Sequence, residues 1–146
     1  MFAETERLLE FDKIVRLLSG YTQTEPGRER ARQLAQLDTV ESVRQSLAEI
    51  GEVVTLLDSS GTPALGGLCD LSEPLASIRV AGAWLDVESL LAVLSSLETA
   101  ASCRSALQNS TNTPHLSSLV DEVDPLRSLA ATVRSCIGER GEILDS

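Results

Sequence analysis

The strongest constraint on this chain is a run of apolar residues at Val40, Val43, Leu47, Ile50, Val54 and Leu57. Their 3-4-3-4-3 spacing places all six on one stripe of an α-helix. It excludes a strand, whose apolar period is two. The pattern returns at Val87, Leu90, Leu94, Leu97 and Ala101, with Leu91 alongside. Near-heptad seams of this kind suit antiparallel or coiled-coil-like helix packing. A seam can pack within one chain or between two, and the spacing leaves both open.

Composition agrees with a helical core. Aromatic residues make up 3% of the 146, namely Phe2, Phe11, Tyr21 and Trp84, so the interior must be built from Leu, Val, Ile and Ala. With 42% hydrophobic and 23% charged residues, the chain is not a disordered acidic tail. Twelve Lys and Arg against 22 Asp and Glu give a net charge of −10, which disfavours a lone nucleic-acid-binding module. The length suits one domain over 1–146.

The remaining periodicity predicts further helices. Leu8, Phe11, Val15 and Leu18, widened by Ile14 and Leu17, form a first stripe that Gly20 can end. A polar helix is expected from Thr24 to Leu37, with Pro26 in its first turn. Asp38 and Glu41 can open the third helix as a capping box, and Asp58–Gly61 reads as the turn that ends it. A short helix is expected near Ser72 with Leu75, Ile78 and Val80, interrupted at Gly82. Asp86 caps the second seam. Residues 108–114, QNSTNTP, read as a loop or linker, and Leu126, Leu129, Val133 and Ile137 predict a last helix. The final GERGEILDS is bounded by glycines and stops without a cap. The expected fold is all-α, a multi-helix bundle with long near-heptad helices.

No catalytic, cofactor or metal residues can be assigned. The chain has no G-x-x-x-x-G-K-[ST] phosphate cradle and no H-E-x-x-H. Its one histidine, His115, follows a proline in a polar loop and is expected at the surface. The cysteines, Cys69, Cys103 and Cys136, are odd in number and widely spaced, so reduced core thiols in a cytoplasmic protein are expected. Glu49 with Glu52, and Asp121 with Asp124, lie three apart in polar surroundings and read as solvated helix faces. Arg28, Arg30 and Arg32 alternate beside Glu25 and Glu29, a poor phosphate patch. The opening MFAETERLLEF is charged at Glu4, Glu6 and Arg7, so no signal peptide is expected, and no run is long enough for a membrane span.

One segment keeps a binding role open. In TPALGGLCD, residues 62–70, two adjacent glycines sit among apolar residues. Gly66 and Gly67 permit positive φ or close backbone approach, and the loop is expected to tuck against the bundle. Pro63, Leu65, Gly66 and Gly67 are the candidate partner-docking residues.

The motifs then align with a family. LLEFDKIVRLL at the start and TEPGRERA at 24–31 resemble the opening of the MutS-II family, the mismatch-repair-independent branch of MutS proteins. LGGLCD at 65–70, LDVESLL at 85–91 and GEILDS at 141–146 resemble later motifs of the family, in family order. Cys69 and Ser72-Glu73 stand where the family often carries basic residues, so no anion contact is carried over. The last motif breaks off at Ser146, and the chain is expected to be an N-terminal piece of a longer protein.

The resemblance implies the start of a MutS-like core and lever region, upstream of a clamp and a dimerising ATPase domain. ATP and magnesium would bind in that absent domain, and some members add a nuclease domain. The parent would be a homodimer acting on branched DNA, suppressing homologous recombination, or splitting stalled ribosomes. On that basis the segment is expected to be a non-catalytic scaffold whose partner is the remainder of its own chain. The alternative is a stand-alone helical interaction module that docks a partner helix through the 63–65 loop or an exposed seam.

Overall fold

A computed structural model describes residues 2–61, 65–110, 112–138 and 141–144. Among these the fold is all-α. Eight helices follow in order: α1 (Phe2–Leu8), α2 (Phe11–Tyr21), α3 (Glu25–Arg32), α4 (Val40–Ser60), α5 (Ser72–Ser77), α6 (Val87–Gln108), α7 (Pro114–Asp121) and α8 (Arg127–Cys136). One isolated antiparallel bridge joins Ile137 and Ile143. The chain divides into two compact units, Met1–Gln36 and Leu37–Ser146.

In the first unit α2 packs on α1 and α3. The expected single opening helix is instead two. The backbone turns at Leu9 and Glu10, where Glu10 takes a left-handed φ of 54°, and a new helix starts at Phe11. Gly20 does not end α2, which runs on to Tyr21. Thr24 caps α3 through its Oγ1, which accepts from the Gly27 amide at 3.1 Å, and Pro26 sits harmlessly in the first turn. α3 stops at Arg32 rather than Leu37. Its arginines lie along glutamates of the same helix, Arg28 with Glu25 at 2.8 Å and Arg32 with Glu25 and Glu29 at 3.6 Å each.

In the second unit α6 is the central strut, with α7 and α8 packed on it and α4 packed on α7. Leu94 of the α6 seam is buried, and the rest of that seam is half-buried. Asp86 caps α6 as expected: its Oδ1 accepts from the Ser89 amide at 2.7 Å. Thr39, not Asp38, caps α4, its Oγ1 accepting from the Ser42 amide at 3.1 Å. Thr39 is one residue nearer the first helical position, and its extended backbone (φ −127°, ψ 148°) aims the hydroxyl into the turn. Asp58, Ser59 and Ser60 belong to the helix, which Gly61 closes at a positive φ of 77° that suits glycine, with its amide donating to Leu57 O at 3.0 Å.

The two seams meet opposite fates. Every apolar residue of the α4 seam is exposed, from Val40 at 68% and Leu47 at 61% down to Val43 and Leu57 at 39%. The residues α4 buries are Glu52 at 9% and Leu56 at 6%, on the other side of the helix. α4 therefore turns its most apolar face outward, and of the two seams α6 alone packs within this chain, a choice the spacing left open.

Beyond α7, the backbone turns through Asp124, whose Oδ1 accepts from the Leu126 amide at 3.0 Å. Leu126 is left-handed at φ 42°, and α8 follows. After α8 the chain folds back. Gly138 N donates to Glu142 O at 2.8 Å and Leu144 N to Cys136 O at 2.9 Å, so the last described residues form a hairpin-like return.

Candidate functional site

The loop singled out for docking is fastened to α6. Leu68 N donates to Leu65 O at 3.0 Å, closing a tight turn around Gly66 and Gly67. Neither glycine has a positive φ, so left-handed freedom is not what the pair supplies. At Gly67 the reason is space: a Cβ there would meet Ser95 Oγ at 2.9 Å and would run into Thr99 Oγ1. The missing side chain lets the loop lie directly on α6. Ser95 Oγ donates to Gly67 O at 2.9 Å, and the Cys69 amide donates to Ser96 Oγ at 3.0 Å. Gly66 has open space around it, Leu65 is half-buried, and Pro63 lies outside the described residues.

The neighbouring segments attach to the same helix. Asp70 Oδ1 accepts from the Ser72 amide at 2.9 Å and so opens α5. The side chain and amide of Ser72 hold its carboxyl below the ordinary aspartate value. At the far end of the chain Gly141 sits in the left-handed region at φ 82°, and a Cβ on it would press on Val87 Cγ1 at 3.3 Å. The turns at 65–70 and 141–144 and the cap at Asp86 thus all bear on α6.

Glu52 is the residue that sequence reasoning misplaced. Expected on a solvated face, it is buried, and its carboxylate spans the first turn of α7, Oε1 accepting from His115 N at 3.0 Å and Oε2 from Leu116 N at 2.9 Å. The first amides of a helix have no partner within it, and a carboxylate answers both their hydrogen-bonding need and the positive helix end. Thr113, at the N-cap position, makes no side-chain cap. It is 1% exposed, and its Oγ1 has no hydrogen-bond partner among the described residues. Burial pushes the Glu52 carboxyl up, but the amides of Leu116 and His115 and the His115 charge outweigh it and leave it below the ordinary value. The available signal was negative: α7 begins Pro-His-Leu with no acid in its first turn. That says a cap is needed from elsewhere, not from where.

The other candidates stay apart. His115 is exposed. Glu49 accepts from Gln45 Nε2 at 3.1 Å, and Asp121 from Gln108 Nε2 at 3.3 Å. The three cysteines are free thiols; Cys103 is half-buried and burial pushes its thiol up, while Cys136 is exposed. Among the described residues no group of His, Cys, Asp and Glu could hold a metal ion, and no helix is long and apolar enough to cross a membrane. An open cleft of about 490 Å³ between α5 and α6 is lined by Asp70, Glu73 and Glu88 with Ser77 and Ser89; its carboxylates would repel a phosphate.

Comparison with known proteins gives one consistent answer. The chain is 33% identical over its whole length to a protein named endonuclease MutS2 from Thermomicrobium roseum, of which it covers 19%. It is 31% identical over 97% of its length to the MutS2 of Synechocystis, covering 17% of that protein, and 29% identical over 96% to that of Brevibacillus brevis, covering 18%. The chain therefore spans about a fifth of the length of the curated relatives it matches. No family model and no solved structure matches it.

Proposed function

We propose that this chain, which resembles a segment of MutS2 proteins, is a non-catalytic helical scaffold of a MutS2-like protein. The observation that carries the reading is where its family-like motifs are used. Gly67 of LGGLCD lies on Ser95 and Thr99, Asp86 of LDVESLL caps α6, and Gly141 of GEILDS abuts Val87 and Leu91. These three of the five motifs are spent on seating one 22-residue helix, and the other two form α2 and α3. Distinctive residues that hold a strut support a segment that transmits position. In the parent, ATP and magnesium would belong to an ATPase domain elsewhere. The remainder of the parent chain would be the segment's partner, and branched DNA or a stalled ribosome would be engaged through other domains.

The test is direct. The purified chain is expected to show a helical circular-dichroism spectrum, no ATP turnover with magnesium, and no tight binding of branched DNA. Measurable turnover in the pure chain would sink the scaffold reading.

A further inference from the structure

We propose that the outward seam of α4 is a self-docking surface, through which two copies of this chain associate as an antiparallel helix pair. The inference stands apart from the scaffold reading. Six apolar residues, Val40, Val43, Leu47, Ile50, Val54 and Leu57, lie exposed along one stripe of a 21-residue helix. The opposite side of α4 is committed to its own unit through Glu52 and α7, so docking on the seam leaves that attachment intact.

Charge selects the occupant and its direction. In heptad terms the seam fills the two core positions, and the residues flanking it on one side are Arg44, Gly51 and Asp58. On the other side they are Thr39, Ser46, Val53 and Ser60, which carry no charge. An antiparallel pair in full register sets Val40 against Leu57 of the second copy, Val43 against Val54 and Leu47 against Ile50. The twofold axis then passes between residues 48 and 49. Helical side chains slant toward their own N-terminus. In opposed helices Arg44 and Asp58 of the second copy therefore lean toward each other, once on each side of the axis. Gly51, between them in sequence, meets nothing within 4 Å of a built Cβ and leaves room for the close approach. Arg44 is free to turn: its side chain is 73% exposed and its contact with Glu41 is a loose 3.9 Å. A parallel pair would set Arg44 against Thr39 and Asp58 against Val53, forming no ion pair and aligning the two helix dipoles. The seam is thus self-complementary in the antiparallel direction alone.

Sedimentation equilibrium on the 146-residue chain, up to about 300 µM to reach the weak range of a short seam, tests this. The wild type is expected to show a monomer–dimer equilibrium. Arg44→Asp and Asp58→Arg should each lower the association constant about tenfold, and the double variant should return to within about twofold of wild type. Leu47→Asp should leave a monomer with an unchanged helical spectrum, which separates lost docking from lost folding. A wild-type monomer throughout overturns the proposal and gives the seam to another occupant. A dimer indifferent to Leu47→Asp, or a double variant no better than the singles, overturns it equally, because the contact would then lie on a different surface.

Discussion

Glu52 shows how much one side chain can decide. Its carboxylate holds two amides of a helix that begins more than sixty residues later, at 3.0 and 2.9 Å. Because folding lowers its proton affinity, the unfolded chain takes up the proton more readily. The stabilisation is therefore complete above the ordinary glutamate value of about 4.5 and is lost as pH falls through the lower folded value. Glu52→Gln should lower the melting temperature at pH 7 and flatten its decline between about pH 5 and 3. An unchanged acid limb would show that other carboxylates carry it. Gly67 makes the complementary case, a residue needed for what it lacks. Gly67→Ala should cost about 1–3 kcal/mol in urea unfolding, and adding Thr99→Ala should recover part of that loss, since the two side chains compete for one space. Among the thiols, Cys136 should react with an aromatic disulfide reagent well before Cys103, whose half-buried sulfur holds its proton more tightly.

The helices are local decisions secured by distant ones. α4 has a hydroxyl cap at Thr39 and a positive-φ glycine at its end, and Thr39→Ala should cost about 1 kcal/mol, read by thermal unfolding. α6 depends less on its cap than on burial, because α7, α8 and the glycine loop all rest on it. Leu94→Ala should cost about 2–4 kcal/mol by leaving a cavity at the centre of that packing. Leu47→Ala on α4 should cost under about 1 kcal/mol in the monomer, since Leu47 is 61% exposed. Two leucines in matching seam positions thus separate by their surroundings. Boundaries were the less legible part of the elements. α1 and α2 share one continuous apolar stripe, and only the backbone turn at Glu10 parts them. α3 ends at Arg32, where the Gln33 amide still donates to Glu29 O at 3.1 Å, and the expected last turn to Leu37 does not form.

At the scale of the whole molecule the chain comprises two compact units, the larger built around α6. Residues 37–146 expressed alone should retain a helical spectrum and a cooperative melt, since they form a compact unit; a non-cooperative melt would show that the first 36 residues are required. The amino-acid sequence by itself determined the all-α class, the two long helices and the Asp86 cap. Each rests on interactions within a few residues or on a period the backbone imposes. What only the tertiary structure decided is which way the helices face. Periodicity reports that a helix has an apolar stripe, not what covers it. On α6 the stripe meets α7 and α8. On α4 it faces outward, while Glu52, on the opposite side, supplies the acceptor that the start of α7 lacks. That pairing joins residues remote in sequence, and no local pattern encodes it.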